Sequence, residues 1–317
     1  MCGVTVERIP VSSGGPEGTN SAYLLPERGV LVDPGPPGDD AWRELQAGLR
    51  SVGETLDAVD HVVATHWHAD HVGLATRVAA AADATIHMHE RDAPLLADYE
   101  AARERRLRRD ETTMLSWGVP DDVAAAVVDG DAPSPLPAET PVETHADGDA
   151  VAGATVLHTP GHTEGHLALS VDDDLFVGDT VLPMYTPNVG GSDTRASDPL
   201  TSFLSSLDRV RAHGGTVHPG HGPGIDAPER FEAIEAHHRS RSRRVLDRVR
   251  RLDRPTPWAV AEALFGDLSG VHAKFGAGEA AAHLARLADH GDVAEVSTDP
   301  LRYEPRRGPD QAPTAFE

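Results

Sequence analysis

Short runs of apolar and β-branched residues recur along the first two thirds of the chain and predict strands. Turn-forming glycine and proline residues separate many of these runs. The predicted strands cover residues 4–9, 21–25, 29–33, 56–64, 85–89, 151–157, 167–171, 175–179 and 216–221. Helical segments lie between several of them, and this alternation predicts an α/β fold.

Segments with helical periodicity become continuous in the last quarter of the chain. The predicted helices cover residues 40–51, 75–82, 90–130, 200–213, 229–252, 258–265 and 277–290. Two short runs at 293–296 and 301–303 predict a hairpin after the last helix. We therefore expect a catalytic domain over 1–228, a small module over 229–305 and a flexible tail over 306–317.

The densest group of polar residues stands where a predicted strand ends. Residues 56–64 run into Thr65-His66-Trp67-His68-Ala69-Asp70-His71-Val72-Gly73, which places three imidazoles and a carboxylate within six residues. Neutral imidazole and carboxylate bind borderline divalent ions such as zinc, so this stretch is a candidate metal site. A polar turn, or histidines placed for packing, is the alternative that the density of the pattern disfavours.

This stretch resembles the signature of the metallo-β-lactamase superfamily, and four further motifs of that family stand at suitable positions. They are Leu31-Val32-Asp33-Pro34-Gly35, Thr159-Pro160-Gly161-His162-Thr163, Val177-Gly178-Asp179-Thr180 and Pro219-Gly220-His221-Gly222. The resemblance covers roughly residues 4–225. It implies an αββα sandwich and a hydrolytic enzyme.

The resemblance also implies a pair of divalent ions joined by one carboxylate. Its ligand sets are His66, His68 and His162 for the first ion, Asp70, His71 and His221 for the second, and Asp179 for the bridge. Two zinc ions are the default because the ligands are nitrogen and oxygen, although iron or manganese would also accept them. A water shared by two such ions becomes a hydroxide nucleophile near neutral pH.

Other residues receive supporting roles, either from the same resemblance or from their position beside a ligand. Asp70 passes a proton to the leaving group in addition to binding metal. Asp33 hydrogen-bonds around the metal loop and holds it in place, with a simple turn cap as the alternative. Tyr185 and Asn188 lie in a loop after a ligand and form a substrate wall, and His166 is a supporting or substrate-side residue.

Composition adds limits on habitat and partners. The formal net charge is −23 and the only lysine is Lys274, which indicates an acidic surface of the kind found in halophilic proteins. Such a surface repels nucleic acid unless a local basic patch overrides it. Cys2 is the sole cysteine, so an internal disulfide is excluded. Without a signal-peptide or membrane-span pattern, we expect a cytoplasmic protein without a membrane partner.

The predicted module at 229–305 resembles the small winged-helix domain appended to some metallo-β-lactamase-fold proteins, including a branch with a single-stranded RNA endonuclease. Eight arginines form a basic island between residues 239 and 254. They pair with nearby acids in one interpretation and form a phosphate track for single-stranded RNA in the other. The long helices are also compatible with a homodimer.

Three functions therefore remain open. The first is hydrolysis of a small ester, thioester or related acyl substrate, since glyoxalase-II-like thioesterases share the ligand pattern and the Thr-Pro-Gly-His-Thr segment. The second is cleavage of single-stranded RNA or another phosphodiester. The third is oxidation by a mononuclear iron centre of the persulfide dioxygenase kind, which needs only part of the ligand set. The complete ligand set weighs against the third function. We expect the acyl hydrolase first and the ribonuclease second, although the metal ligands alone do not distinguish these two substrates.

Overall fold

The computed structural model describes residues 4–15, 18–225, 227–306, 308 and 311–316. Cys2 and part of the predicted tail lie outside these residues. The chain divides into two compact units. The first comprises Met1–Arg103, Pro133–Pro187 and Ser205–Phe231, and the second comprises Glu104–Ala132, Asn188–Leu204 and Glu232–Glu317.

The first unit contains a six-stranded sheet whose strands follow chain order. Its strands are β1 (Glu7–Gly15), β2 (Gly18–Leu25), β3 (Val30–Val32), β4 (His61–Val63), β5 (Thr85–His89) and β6 (Glu143–His145). Strands β1 to β3 pair antiparallel, whereas β3 to β6 pair parallel. The carboxyl ends of the parallel strands therefore meet at one edge.

A second sheet of five strands completes the sandwich of this unit, in the order β11-β10-β9-β8-β7. Its strands are β7 (Ala150–Val151), β8 (Ala154–His158), β9 (Leu167–Val171), β10 (Asp174–Gly178) and β11 (Thr216–Pro219). All pairs are antiparallel except β10 with β11. Ala152 and Gly153 both have positive φ, which suits the tight hairpin between β7 and β8.

The alternation of strand side chains builds two apolar layers in this unit. Between the sheets, Val32 and Val63 share a buried cluster with Phe176 of the second sheet. On the other face of the first sheet, the helices α1 (Asp39–Ser51) and α3 (Ala75–Ala82) contribute to a separate cluster that includes Leu45 and Val78. The predicted α/β sandwich is confirmed.

The remaining helices are distributed over the chain. They are α2 (Ala69–Val72), α4 (Pro94–Ala97), α5 (Tyr99–Ser116), α6 (Asp121–Asp129), α7 (Pro199–His213), α8 (Ala227–Arg251), α9 (Pro257–Phe265) and α10 (Val271–Asp289). The hairpin of β12 (Val293–Thr298) and β13 (Leu301–Pro305) follows. Within the described residues no helix is both long and apolar enough to cross a membrane.

The second unit has its own core and includes the predicted order of three helices and a hairpin. Leu284 and Leu287 of α10 are fully buried with Leu246 of α8 and Val260 of α9. Thr256 accepts a hydrogen bond from the backbone N–H of Ala259 and caps α9. Residues 232–306 therefore pack around a buried apolar core of their own, to which α8, α9, α10 and the hairpin contribute.

Two earlier segments of the chain also belong to this second unit. Asp110 of the segment 104–132 joins this segment to the other one, 188–204, and to α10. Its carboxylate accepts hydrogen bonds from Thr194 Oγ1 at 2.6 Å and from Lys274 Nζ at 2.7 Å. Gly278 lies so close to Gly191 that an added Cβ would stand 2.4 Å from the Gly191 Cα. The structure therefore divides the chain near the expected boundary at 228, but groups residues 104–132 and 188–204 with the second unit.

Candidate metal centre

The residues after β4 form a loop and one short helix that carry four candidate ligands. His66 and His68 lie in the loop, whereas Asp70 and His71 lie on α2. The backbone N–H of His71 donates to the carbonyl of His68 at 2.9 Å. This tight turn places the four side chains at the end of a parallel strand, where α/β proteins commonly build their sites.

His66, His68 and His162 form the first group of ligand atoms. His68 Nδ1 lies 3.0 Å from His66 Nε2 and 3.0 Å from His162 Nε2. His162 follows Gly161, which has a φ of 136° and donates its N–H to the carbonyl of Thr163. This turn after β8 directs the His162 ring towards the loop after β4.

Asp70, His71 and His221 form the second group. Asp70 Oδ2 lies 3.3 Å from His221 Nε2 and 3.5 Å from His71 Nε2. His221 follows β11, and Tyr23 of β2 donates its hydroxyl to the carbonyl of Pro219 at 2.8 Å. Contacts between β2 and the end of β11 thus bring the last ligand to the other five.

Asp179, at the end of β10, lies between the two groups. Its Oδ2 is 3.6 Å from His162 Nε2 in the first group and 3.6 Å from His221 Nε2 in the second. Its Oδ1 is 3.4 Å from His71 Nε2. The structure therefore brings all seven residues expected as ligands into one cluster.

The donor atoms of this cluster fit divalent metal ions. His71 Nε2 and Asp179 Oδ1 are buried, and neither has a hydrogen-bond partner among the residues that the structure describes. Buried polar atoms without partners are costly in a folded protein, and a cation would satisfy both. Five imidazoles and two carboxylates also match the preferences of zinc and of other first-row transition ions.

The electrostatics of the cluster favour the ligand forms of several groups. Burial lowers the pKa of His68 to about 3, and His162 adds to this effect. Burial also holds the pKa of His66 well below its usual range. Both rings are therefore neutral at pH 7, with nitrogen lone pairs that can bind a cation.

The second group carries charge that compensates the carboxylates. Burial opposes protonation of His221, but Asp179 and Asp70 raise its pKa to about 9. The same two carboxylates and Asp33 raise the pKa of His71 well above its usual range despite burial. Binding of a cation by these imidazoles therefore releases protons.

Asp33 holds the metal loop through three hydrogen bonds. Its Oδ1 accepts from the Thr65 N–H at 2.8 Å, and its Oδ2 accepts from Thr65 Oγ1 at 2.8 Å and from His71 Nδ1 at 2.9 Å. Asp33 has a φ of 48°, a conformation that aspartate tolerates better than most residues. The carboxylate thereby fixes the His71 ring with Nε2 towards the cluster.

Of the three residues expected to contact substrate, only Tyr185 is well exposed, at 51%. His166 is fully buried, accepts a hydrogen bond from the Asp179 N–H at 3.1 Å and contacts Thr159 Oγ1 at 2.8 Å. It supports the cluster and does not line a substrate surface. Asn188 belongs to the second unit, where its Oδ1 accepts the Ser192 N–H and its Nδ2 donates to the carbonyl of Phe275.

Two supporting residues were not expected from the sequence. Asn20 Nδ2 donates to the backbone carbonyl of Asp70 at 2.9 Å and to its Oδ2 at 3.2 Å. Asp92 accepts hydrogen bonds from Thr163 Oγ1 at 2.7 Å and the Gly165 N–H at 2.8 Å, which joins the loop of His162 to the end of β5. Asp92 follows a strand, as Asp33 does, and this position in the sequence could have indicated a supporting role for it. Nothing in the sequence around Asn20 indicates its role.

This sandwich and its cluster of imidazoles and carboxylates define an α/β metalloenzyme. The chain belongs to the Metallo-beta-lactamase superfamily, whose family model matches residues 14–224. It is a metallohydrolase of that superfamily, in agreement with the expectation from the sequence motifs.

Curated relatives are similar to different extents of the chain. Beta-lactamase-like protein 2 homolog of Caenorhabditis elegans is 26% identical over 270 residues, which cover 83% of this chain and 77% of the relative. Probable metallo-hydrolase YqjP of Bacillus subtilis (strain 168) is 31% identical over 97 residues, which cover 31% of this chain and 30% of the relative.

Two solved structures match almost the whole chain. A metallo-beta-lactamase family protein from Thermus thermophilus has a TM-score of 0.75 and 29% identity, covering 95% of this chain and 98% of that one. A beta-lactamase domain protein from Burkholderia ambifaria has a TM-score of 0.70 and 23% identity, covering 95% and 91%. At 23% identity, the similarity to the Burkholderia ambifaria protein supports the fold alone.

Proposed function

We propose that the first unit is a dinuclear hydrolase of small esters, thioesters or related acyl compounds, with zinc as the default metal. His66, His68 and His162 would hold one ion, Asp70, His71 and His221 would hold the other, and Asp179 would be shared between them. The observation that carries this proposal is the position of Asp179. Its carboxylate lies 3.4–3.6 Å from imidazole nitrogens of both groups, a suitable position for a bridging ligand.

When bound, divalent ions would lower the pKa of a bound water and polarise the carbonyl oxygen of an acyl substrate. The chain supplies the arrangement around them. Asp33 and His166 are buried and hold His71 and the Asp179 backbone in place. These contacts limit movement of the ligand side chains while charge develops on the substrate during the reaction.

Asp70 is the residue that we assign to proton transfer. Its side chain is 31% exposed, whereas those of His71, His162, Asp179 and His221 are at most 4% exposed. The pKa of Asp70 is held below its usual range because His71 and His221 outweigh the effect of burial. Asp70 is therefore ionised at neutral pH, as a metal ligand must be. The proton-transfer role rests on its exposure, because Asp70 is the more exposed of the two carboxylates in the cluster and a leaving group can reach it.

The contacts of the basic island favour acyl substrates over RNA. Six of its eight arginines bond to acids or backbone carbonyls of the second unit: Arg241 to Glu279, Arg244 to Leu264, Arg248 and Arg251 to Asp247, Arg250 to Gln311 and Arg254 to Glu304. Arginines with local partners have less charge available for phosphates. The interpretation as paired side chains therefore has more support than the phosphate track, and single-stranded RNA remains the second candidate substrate.

The completeness of the ligand cluster also bears on oxidative chemistry. A mononuclear iron dioxygenase needs only part of this set, whereas here seven ligand residues converge. The second group would have no role in binding a single ion. We therefore place hydrolysis ahead of persulfide oxidation.

The experiment is a substrate comparison with zinc-loaded protein at high salt. Cleavage of a simple thioester, a simple ester and a single-stranded RNA is measured for the wild type, for Asp70→Ala and for Asp174→Ala. Asp174 is the matched control because its carboxylate accepts a hydrogen bond from His218 on the same sheet. We expect acyl cleavage by the wild type and by Asp174→Ala, and its loss in Asp70→Ala.

Other outcomes would overturn the proposal in distinguishable ways. RNA cleavage that depends on Asp70, without acyl cleavage, would establish the endonuclease function. Oxygen uptake with a persulfide by iron-loaded protein, without hydrolysis, would establish the dioxygenase. No cleavage of either acyl substrate by protein with two bound ions would exclude the proposed substrate class.

A further inference from the structure

A second group of histidines lies on β4, β5 and β6 of the first unit. His61 stands on β4, His87 on β5, and Glu143 and His145 on β6, which is an edge strand of its sheet. Strand β5 alternates, so that Ile86 and Met88 enter the cluster with α1 and α3 and His87 lies on the opposite face. The sequence motifs gave no indication of a site at these residues.

Three side chains of this group converge on one point. His87 Nδ1 lies 3.0 Å from His145 Nε2 and 3.4 Å from Glu143 Oε2. Their potential ligand atoms all lie within 4.8 Å of one another. The same spacings occur in the candidate metal centre, where two ring nitrogens of His66 and His68 are 3.0 Å apart and His71 Nε2 is 3.4 Å from Asp179.

His61 gives His87 the partner that a metal-binding histidine requires. His61 Nδ1 lies 2.9 Å from His87 Nε2, on the far side of the ring from His145. When His87 Nε2 carries the proton and donates it to His61, the His87 Nδ1 lone pair points to His145 and Glu143. Histidine ligands generally donate their other ring N–H in this way, which fixes the tautomer.

The three residues also offer a route from solvent to the buried ring. The His87 side chain is 5% exposed, but the Glu143 side chain is 65% exposed. Glu143 therefore meets water while its carboxylate oxygen reaches towards the buried imidazole. A cation that arrives from solvent meets the negative charge first and the two imidazoles next.

We propose that His87 Nδ1, His145 Nε2 and Glu143 Oε2 form a separate binding site for a borderline divalent cation of the Zn²⁺ type. Two imidazoles and one carboxylate are a common ligand set for zinc, with the fourth position open to water. Such an ion joins β5 to β6, which has only three residues. The site therefore stabilises an edge of the first sheet and is independent of the proposed hydrolysis.

The alternative is a chain of imidazole hydrogen bonds without metal. In that arrangement His145 Nε2 donates to His87 Nδ1 and His87 Nε2 donates to His61, and both distances suit hydrogen bonds. The two possibilities differ in the number of ions that the chain binds and in the protection of His145 by zinc.

The first experiment counts zinc. Chelator-treated protein is dialysed against buffered Zn²⁺, and bound zinc per chain is measured for the wild type and for a Glu143→Gln/His145→Gln double variant. The control is Glu139→Gln/His213→Gln, which removes the same residue types from exposed positions of the first unit. We expect the double variant to bind one zinc fewer than both other proteins, and equal counts in all three would overturn the proposal.

The second experiment needs no variant and so does not depend on how a variant folds. Wild-type protein is treated with diethyl pyrocarbonate with and without Zn²⁺, and modification of each histidine is followed by mass spectrometry. We expect zinc to slow modification of His145 several-fold and to leave that of exposed His213 unchanged. Modification of His145 at the same rate in both conditions would overturn the proposal.

Discussion

The buried carboxylate of Asp33 accepts a hydrogen bond from His71 Nδ1 over 2.9 Å. His71 thereby keeps Nε2 towards Asp70 and Asp179, at 3.5 and 3.4 Å. Because Asp33 directly follows β3 and its N–H donates to the carbonyl of Val63 on β4, the orientation of a ligand ring depends on the strands of the first sheet and not on the loop alone.

Replacing Asp33 by Asn should weaken metal binding about 10- to 100-fold, the usual effect of losing a partner of a metal ligand. Asparagine keeps the shape of the side chain and tolerates the positive φ at this position, so the fold should persist. Zinc affinity measured by competition with a chromophoric chelator tests this. Asp174→Asn, which alters the carboxylate partner of His218, is the matched control. Equal affinities in wild type and Asp33→Asn would show that the orientation of His71 does not depend on Asp33.

Gly220 lies where a side chain would disturb two ligands. An added Cβ would stand 2.6 Å from Asp179 Oδ1 and 2.7 Å from His71 Cε1. Gly220→Ala should therefore lose at least one bound ion while keeping its circular dichroism spectrum. Gly224→Ala is the control, since nothing lies within 4 Å of its added Cβ. Full metal content in Gly220→Ala would contradict the tight packing seen around Asp179.

Asn20 offers a test of the role of Asp70 that leaves every proposed ligand in place. Removal of its amide by Asn20→Ala should lower kcat about tenfold, because one net hydrogen bond to a charged group stabilises by roughly 1.5 kcal/mol. The two hydrogen bonds from Asn20 hold the Asp70 carbonyl and carboxylate. Steady-state kinetics on the best acyl substrate, with metal content measured in parallel, tests this. An unchanged kcat at full metal content would show that the hydrogen bonds from Asn20 do not support the role of Asp70.

The stability of the second unit should depend on pH through His238. Burial lowers the pKa of this histidine to about 3, from an ordinary value of 6.5. Between these two values the unfolded chain binds more protons than the folded one, so the free energy of unfolding falls as the pH falls below 6.5. The loss from one such group approaches about 1.4 kcal/mol per pH unit.

His238→Gln should therefore lose less stability than the wild type between pH 7.5 and pH 5. Urea unfolding at both pH values measures the difference. His213→Gln serves as the control because His213 is exposed in the first unit. The same pH dependence in His238→Gln and wild type would show that His238 does not carry this linkage.

The motifs that supply the ligands were predictable because each is local. His66 and His162 follow predicted strands within a few residues, and Asp179 and His221 are the last residues of predicted strands. The strands of one sandwich bring such ends together. Contacts distant in sequence were not predictable. Asn20 reaches Asp70 across 50 positions in the chain, and its side chain has no distinctive neighbours in the sequence.

The second unit shows the same limit in its helices. The helix predicted over 277–290 begins six residues earlier in the structure, at Val271. Gly276 stands just before the predicted start, and glycine is a weak helix former, so the sequence pattern did not extend the helix past it. Gly278 stands in the helix because Gly191 packs directly against it. Likewise, the helical run predicted over 90–130 breaks into α4, α5 and α6, with Gly118 at positive φ between the last two. These features depend on tertiary contacts that periodicity does not encode.

The strand β6 was not predicted either, since residues 143–145 are polar and form only a short edge. The relation of His145 to His87 depends on the pairing of β6 with β5. His87 looks like an isolated strand residue in the sequence. The strand register of β5 and β6 decides which side chains lie beside it.

The central claim is that seven residues hold two ions bridged by Asp179. Anomalous X-ray diffraction at the zinc edge, from crystals of the zinc-loaded protein, tests it most directly. We predict two peaks about 3.5–4 Å apart, one among His66, His68 and His162 and one among Asp70, His71 and His221. A single peak within this cluster, at full zinc loading, would contradict the account.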